Sequence, residues 1–288
     1  PHIKRGSIKM KLQNIKQVAL DSGLEDRLSF SPLEKYTKQC KKASASGFVN
    51  AVLRSFLRDN KTIRMPEDAW QRCEVEYSVP AALCRRLAEE RGMEFTQAFL
   101  ADALRTPPTT IRLNPLCGTV QALEEEGFSP VPIERLPYAY TISAADVRKS
   151  KAFSAGMFHV QDLSSQLCCA ILAPKPEETV LDMCAAPGGK TAQLANRGAF
   201  VHAFDISGKR LTRLQENMTR LGFEKQVQTT CADILSLTES EPFDAVLLDA
   251  PCSATGTIAR HPELKYHRTP DDIIRLATLQ KQLLQKAL

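Results

Sequence analysis

Thr179-Val180-Leu181-Asp182-Met183-Cys184-Ala185-Ala186-Pro187-Gly188-Gly189-Lys190-Thr191 is the stretch on which the fold turns. Its start, with Val180, Leu181 and Met183 apolar, reads as a buried parallel strand over Thr179 to Met183. Pro187-Gly188-Gly189 breaks that strand, and a helix restarts from Lys190. Glycines at such a turn let backbone approach a ligand, and the new helix offers it free N–H groups. By itself a Pro-Gly-Gly is an ordinary turn. Its spacing matches neither the dinucleotide G-x-G-x-x-G nor the phosphate loop G-x-x-x-x-G-K-[ST].

The surroundings strengthen it. A strand over Ala199 to Phe204 ends in Asp205, about 20 residues beyond the turn, where Rossmann-type folds place an acid on a ribose hydroxyl. A strand over Val227 to Cys231 is followed by Asp233, and a third over Asp244 to Asp249 delivers Asp249, Pro251 and Cys252 at its carboxyl end. In open α/β sheets ligands bind at that edge. Between Asp205 and Val227, Leu211, Leu214, Met218 and Leu221 make an apolar helix face that Gly222 ends. Right-handed crossovers then give a parallel, doubly wound, Rossmann-like sheet.

Composition excludes several classes. The sequence of 288 residues is long enough for a sizeable core and about two domains. A net charge of +5 is mild and barely favours nucleic acid over a solvated surface. Nine cysteines with no C-x-x-C pair suit free thiols in a reducing cytoplasm better than a disulfide framework or a zinc site, so no metal is expected. No apolar run approaches the length of a membrane span, and no signal-peptide pattern opens the chain. A soluble cytoplasmic monomer, with no membrane partner, is the expectation.

Three regions follow one another. Residues 1–60 are basic and end in an amphipathic helix with Phe48, Val49, Val52, Leu53, Phe56 and Leu57 at helical spacing. Residues 61–150 hold helices around Pro80 to Ala88 and Glu94 to Leu104, then an alternating strand over Thr109 to Asn114. Residues 151–288 carry the nucleotide-binding pattern, starting with a helix on which Leu163, Leu167, Ala170 and Ile171 form an apolar face that puts Cys168 and Cys169 in the core.

Residues 158–288 resemble the S-adenosylmethionine-dependent RNA cytosine-carbon-5 methyltransferases of the RsmB (Sun, Fmu) type, which act on small-subunit (16S) ribosomal RNA. The matching stretches are Val160 to Gln166, Asp182 to Thr191, Phe204-Asp205-Ile206, Asp249 to Gly256 and Arg260-His261-Pro262-Glu263. Lys41 to Arg54 is similar to the end of the NusB-like helical domain that precedes the catalytic part in that family, so residues 1–60 are at best a remnant of it.

The resemblance implies site residues. Cys184, Ala185, Ala186, Pro187, Gly188, Gly189 and Lys190 would hold the methionine moiety of S-adenosylmethionine, Asp205 the ribose hydroxyls and Asp233 the adenine amine, with Arg210 and Asp249 also on the cofactor. Asp249 would hold the cytosine through its ring nitrogen and exocyclic amine, and Cys252 would assist product release. Arg112 and Asn114 would touch the ribosomal RNA, although a solvated strand charge explains Arg112 as well. Carbon 5 of cytosine lacks the nucleophilicity to take a methyl group unaided, so a thiolate must first add to carbon 6. In the family that thiolate belongs to a later Thr-Cys-Ser motif, and this sequence ends in or just after a helix over Asp271 to Ala287 without one. The sheet is therefore expected to be incomplete at its C-terminal end, and residues 1–288 alone are expected not to transfer a methyl group. A non-catalytic RNA-binding or cofactor-binding fragment is the alternative. DNA cytosine methylation, in which the Pro-Cys cysteine itself attacks, is a weaker third reading that the flanking residues oppose.

Overall fold

A computed structural model describes residues 51, 54, 55, 58, 65–143, 147–237 and 242–288. Most of the NusB-like segment, and every residue of the apolar stripe expected at 48–57, lie outside the described residues. In chain order the elements are α1 (Ala69–Tyr77), α2 (Ala81–Arg91), α3 (Met93–Asp102), β1 (Thr109–Leu113), α4 (Val120–Glu125), β2 (Val131–Pro132), β3 (Ala139–Ile142), α5 (Lys151–Ser154) and β4 (Phe158–Val160). They continue with α6 (Leu163–Leu172), β5 (Thr179–Asp182), α7 (Gly189–Ala195), β6 (Phe200–Asp205), α8 (Gly208–Leu221), β7 (Val227–Cys231), β8 (Ala245–Leu247), α9 (Leu264–His267) and α10 (Pro270–Ala287).

The described residues up to Thr106, with Thr255–His267, form one compact unit, and Pro107–Ala254 with Arg268–Leu288 form another. The small sheet crosses the expected boundary at 150/151, because β1, before it, pairs with β4, after it; the boundary expected at 60/61 lies outside the described residues. In the first unit α1 to α3 bury Cys73, Tyr77, Val79, Cys84 and Leu100 against Ile258. The Tyr266 hydroxyl donates to the Ser78 carbonyl, tying α9 to the α1–α2 turn.

The second unit holds two sheets. The larger runs β7-β6-β5-β8 with every pairing parallel. It is a Rossmann-like sheet, and its order reverses beside β5: β6 and β7 build outward on one side, β8 on the other. One sheet face, with Val180, Val201 and Ala203, packs on Leu194 of α7 and on Leu211, Leu214, Met218 and Leu221 of α8. The other face, with Leu181 and Met183, packs on Ile234 and on Leu283 of α10. The sequence pattern of α8 accounts for its burial, and Gly222 in the left-handed region ends it as expected.

The smaller sheet, β2-β3-β1-β4, is antiparallel. Its face carrying Ile111, Leu113 and Phe158 is an apolar core with Leu123 of α4 and Ala152 of α5. The opposite face carries Arg112, Asn114, His159 and Gln161, all buried. Asn114 Nδ2 donates to the carbonyls of Gly156 and, on α8, Leu221, both at 2.9 Å. Arg112 donates to the Pro137 carbonyl at 3.0 Å and stacks over Tyr138. Arg112 and Asn114, expected on RNA, are therefore buried on the face turned toward the parallel sheet's helices, with Arg112 Nε left unpartnered. Alternation alone marks two faces of a strand, and here the polar one is covered.

A second correction concerns α6. Cys169 is buried, but Cys168 is exposed and Leu163, Leu167 and Ile171 are 37%, 43% and 82% exposed. The helix turns Gln166 inward instead, because its side-chain amide donates to the carbonyls of Ile111 and Gln161.

Candidate functional site

Three strand ends and one turn meet at the carboxyl edge of the parallel sheet. After β5 the chain turns through Met183 to Pro187; Ala185 N donates to the Phe204 carbonyl at 2.8 Å and Gly188 N to the Ala185 carbonyl at 2.9 Å. Gly188 has φ +98°, and a Cβ there would lie 2.8 Å from Leu214 Cγ of α8, so its bareness serves close packing. The turn presents the exposed Pro187 and the half-buried Cys184. Burial first, then the carboxylates of Asp182, Asp205 and Asp249, pushes the Cys184 thiol up to about 11, so it stays protonated.

Asp182, at the end of β5, is fully buried and accepts from Thr191 Oγ1 at 2.8 Å, tying strand to α7, while its Oδ1 has no partner. Burial raises its carboxyl to about 7. Asp205, at the end of β6, is also buried. Its oxygens accept from Ala186 N at 3.3 Å and Ser207 N at 2.9 Å, and Arg210 Nη1 lies 3.4 Å away. Arg210 also donates to the Ala186 carbonyl, so acid and base together grip the turn at Ala186. A carboxylate has lone pairs left after two such bonds. Asp233, after β7, is exposed and caps the short turn Ile234–Ser236 through Leu235 N at 3.0 Å.

Asp249 lies two residues beyond the end of β8, which stops at Leu247 and not at Asp249 as expected. Its Oδ2 accepts from Lys190 Nζ at 2.6 Å, and the same ammonium donates to Ser165 Oγ at 3.3 Å. Lys190, expected on the methionine moiety, thus pairs with the acid across the switch point. Cys252 is exposed three residues on. The loop that presents it is held by Gln280 Nε2 on the Pro251 carbonyl at 2.8 Å and Arg268 Nε on the Ser253 carbonyl at 2.9 Å. Neither Arg268 nor Gln280 is legible as a site residue from sequence, since nothing local marks a residue that reaches a loop 15 or 29 positions earlier.

The turn, Asp205, Arg210, Asp233, Asp249 and Cys252 therefore share one sheet edge, as the strand-end pattern predicts, whereas Arg112 and Asn114 are interior. Comparison with known proteins agrees with this geometry. Residues 169–288 match the model of the 16S rRNA methyltransferase RsmB/F family. Over this part the chain is similar to that family. The ribosomal RNA small subunit methyltransferase B of Xylella fastidiosa (strain 9a5c) is 36% identical over 247 residues, covering 83% of this chain and 56% of the relative. The protein of that name from Vibrio cholerae is 38% identical over 248 residues, covering 83% and 56%. The chain thus spans about half the length of these curated relatives. Among solved structures, PH0851 is similar with 30% identity and a TM-score of 0.76 over 88% of this chain and 59% of that one. A methyltransferase homolog protein from Pyrococcus horikoshii shows 29% identity and a TM-score of 0.65 over 77% and 72%. The RsmB/F match begins within α6 and takes in the whole parallel sheet, so every residue of the candidate site from Cys184 to Cys252 falls inside it.

Proposed function

We propose that this chain carries the S-adenosylmethionine-binding half of an RNA cytosine-carbon-5 methyltransferase that acts in the cytoplasm on small-subunit ribosomal RNA. The observation that supports it most is the convergence of acids on one edge: Asp205, Asp233 and Asp249 follow three parallel strands around a glycine turn, at the point where strand order reverses. The donor set fits the cofactor. Asp205 keeps lone pairs for ribose hydroxyls, exposed Asp233 is an acceptor for an adenine amine, and the backbone of Cys184 to Gly189, beside the Arg210 guanidinium, suits the methionine part. S-adenosylmethionine, when bound, supplies an electrophilic methyl group.

The protein's own residues would do the rest. Asp249 holds the cytosine through its ring nitrogen and exocyclic amine, with Lys190 fixing the carboxylate. Cys252 assists release of the methylated product from its covalent link to a separate attacking thiol. A full protein carrying this sequence, incubated with S-adenosylmethionine and labelled 16S RNA, tests this reading. With Cys252→Ala, a protein–RNA adduct should accumulate on a denaturing gel. Loss of the adduct would make Cys252 the nucleophile and favour the DNA-type mechanism.

A further inference from the structure

Behind the glycine turn lies a group of buried side chains that the proposed chemistry does not use. His159, Gln161, Gln166 and Gln193 are 8%, 5%, 0% and 2% exposed. Gln193 Nε2 donates to the Gln166 backbone carbonyl at 3.0 Å, and Gln193 Oε1 accepts from Gln161 Nε2 at 2.9 Å. Gln161 Oε1 then lies 3.0 Å from His159 Nε2.

A backbone carbonyl only accepts, so the amide nitrogen of Gln193 must face Gln166. That puts the Gln193 oxygen toward Gln161, which must offer its own nitrogen and turn its oxygen to His159. His159 must then donate through Nε2. One carbonyl therefore fixes the direction of every bond in the chain and the tautomer of the histidine. Burial agrees, holding the imidazole neutral with its pKa lowered to about 4. Gln166 closes the network by donating to the carbonyls of Ile111 and Gln161 at 3.2 and 3.1 Å.

We propose that Gln161 and Gln193 are positioning residues for the cofactor turn, acting as a polar ruler between the small sheet and α7. Gln161 faces α7 at two points. Its amide bonds Gln193, and its Cγ lies 3.8 Å from where a Cβ on Gly189 would be, at the first residue of that helix. Gly189 and Gln193 stand four residues apart, on one face of α7. An apolar contact there would fill the same space but would tolerate sliding and rotation of the helix. A directional chain tolerates neither, since any slip sets buried donor against donor or acceptor against acceptor. The rotation of α7 sets the height of Gly188 and the reach of Lys190 to Asp249. The inference rests on the reading that residues 184–190 hold S-adenosylmethionine.

The test is calorimetric titration of the chain with S-adenosylmethionine at a temperature well below the melting point, for the parent and for Gln193→Met, a near-isosteric change. The variant should remain folded and bind at least tenfold more weakly. In the ¹⁵N histidine spectrum His159 should lose its fixed Nε2–H tautomer, although the substitution does not touch it. A purely structural role would lower the melting temperature and leave affinity and tautomer unchanged. If Gln193→Met does not fold, Gln193→Glu, which keeps the acceptor for Gln161 and loses the donor to Gln166, carries the same comparison. Affinity within twofold of the parent would overturn the positioning role. A parent that binds no cofactor would instead overturn the cofactor reading beneath it.

Discussion

Asp182 shows how a residue can serve the site without facing the ligand. Its carboxyl is buried against Thr191, with one oxygen unpartnered, and titrates near about 7 in the folded chain because burial penalises its charge. The folded pKa lies above the unfolded value, so between about pH 4 and 7 the native state binds more protons than the unfolded one. Stability then falls as pH rises through that window, by at most about 1.4 kcal/mol per pH unit. Asp182→Asn should remove this contribution. Denaturant melts of both proteins at several pH values should show the parent losing stability relative to the variant from pH 4 to pH 7. A difference that does not vary with pH would mean the carboxyl is ionised throughout. The sequence marks Asp182 only as a strand residue; its role depends on Thr191, nine positions on, being turned back over it.

Among elements, the small sheet departs furthest from its sequence pattern. The strand over Thr109 to Leu113 is legible from alternation, and so are β5, β6 and α8, because apolar periodicity there coincides with burial. What alternation could not reveal is that the polar face of β1 is covered as well. Arg112 and Asn114 look like surface groups until Leu221 and Pro137 supply their acceptors from far along the chain. The stripe on α6 misleads in the opposite sense, since hydrogen bonds to Gln166 fix the rotation of the helix and leave Leu167 and Ile171 outside. From this assignment, Asn114→Ala should cost about 1–3 kcal/mol, because it strands two buried carbonyls. It should leave RNA affinity unchanged once the protein is folded. A variant of parental stability that binds RNA less tightly would return Asn114 to the RNA surface.

For the whole molecule, the edge that carries the acids follows from connectivity. A parallel sheet brings the ends of β5, β6 and β8 to one edge, whatever their separation in sequence, and the reversal of strand order beside β5 opens a crevice there. That much was legible from a glycine turn followed by three strand-end acids. The Lys190–Asp249 pair and the glutamine chain were not, since both are long-range pairings between side chains with no shared motif. Among the described residues no helix is long and apolar enough to cross a membrane. If RNA is the partner, its affinity should fall steeply with added salt, as phosphates exchange counterions for lysines and arginines. Titration of a 16S RNA hairpin at two salt concentrations measures this, and an affinity indifferent to salt would count against an RNA substrate. The most direct test of the central claim is calorimetric titration of the chain with S-adenosylmethionine, beside Asp205→Asn, which keeps an acceptor for the backbone but drops the charge. The parent should bind one equivalent and the variant about tenfold to a hundredfold more weakly, the loss of a charge-assisted interaction of about 1.5–3 kcal/mol. A parent that gives no heat of binding, or a variant that binds as tightly as the parent, would contradict it.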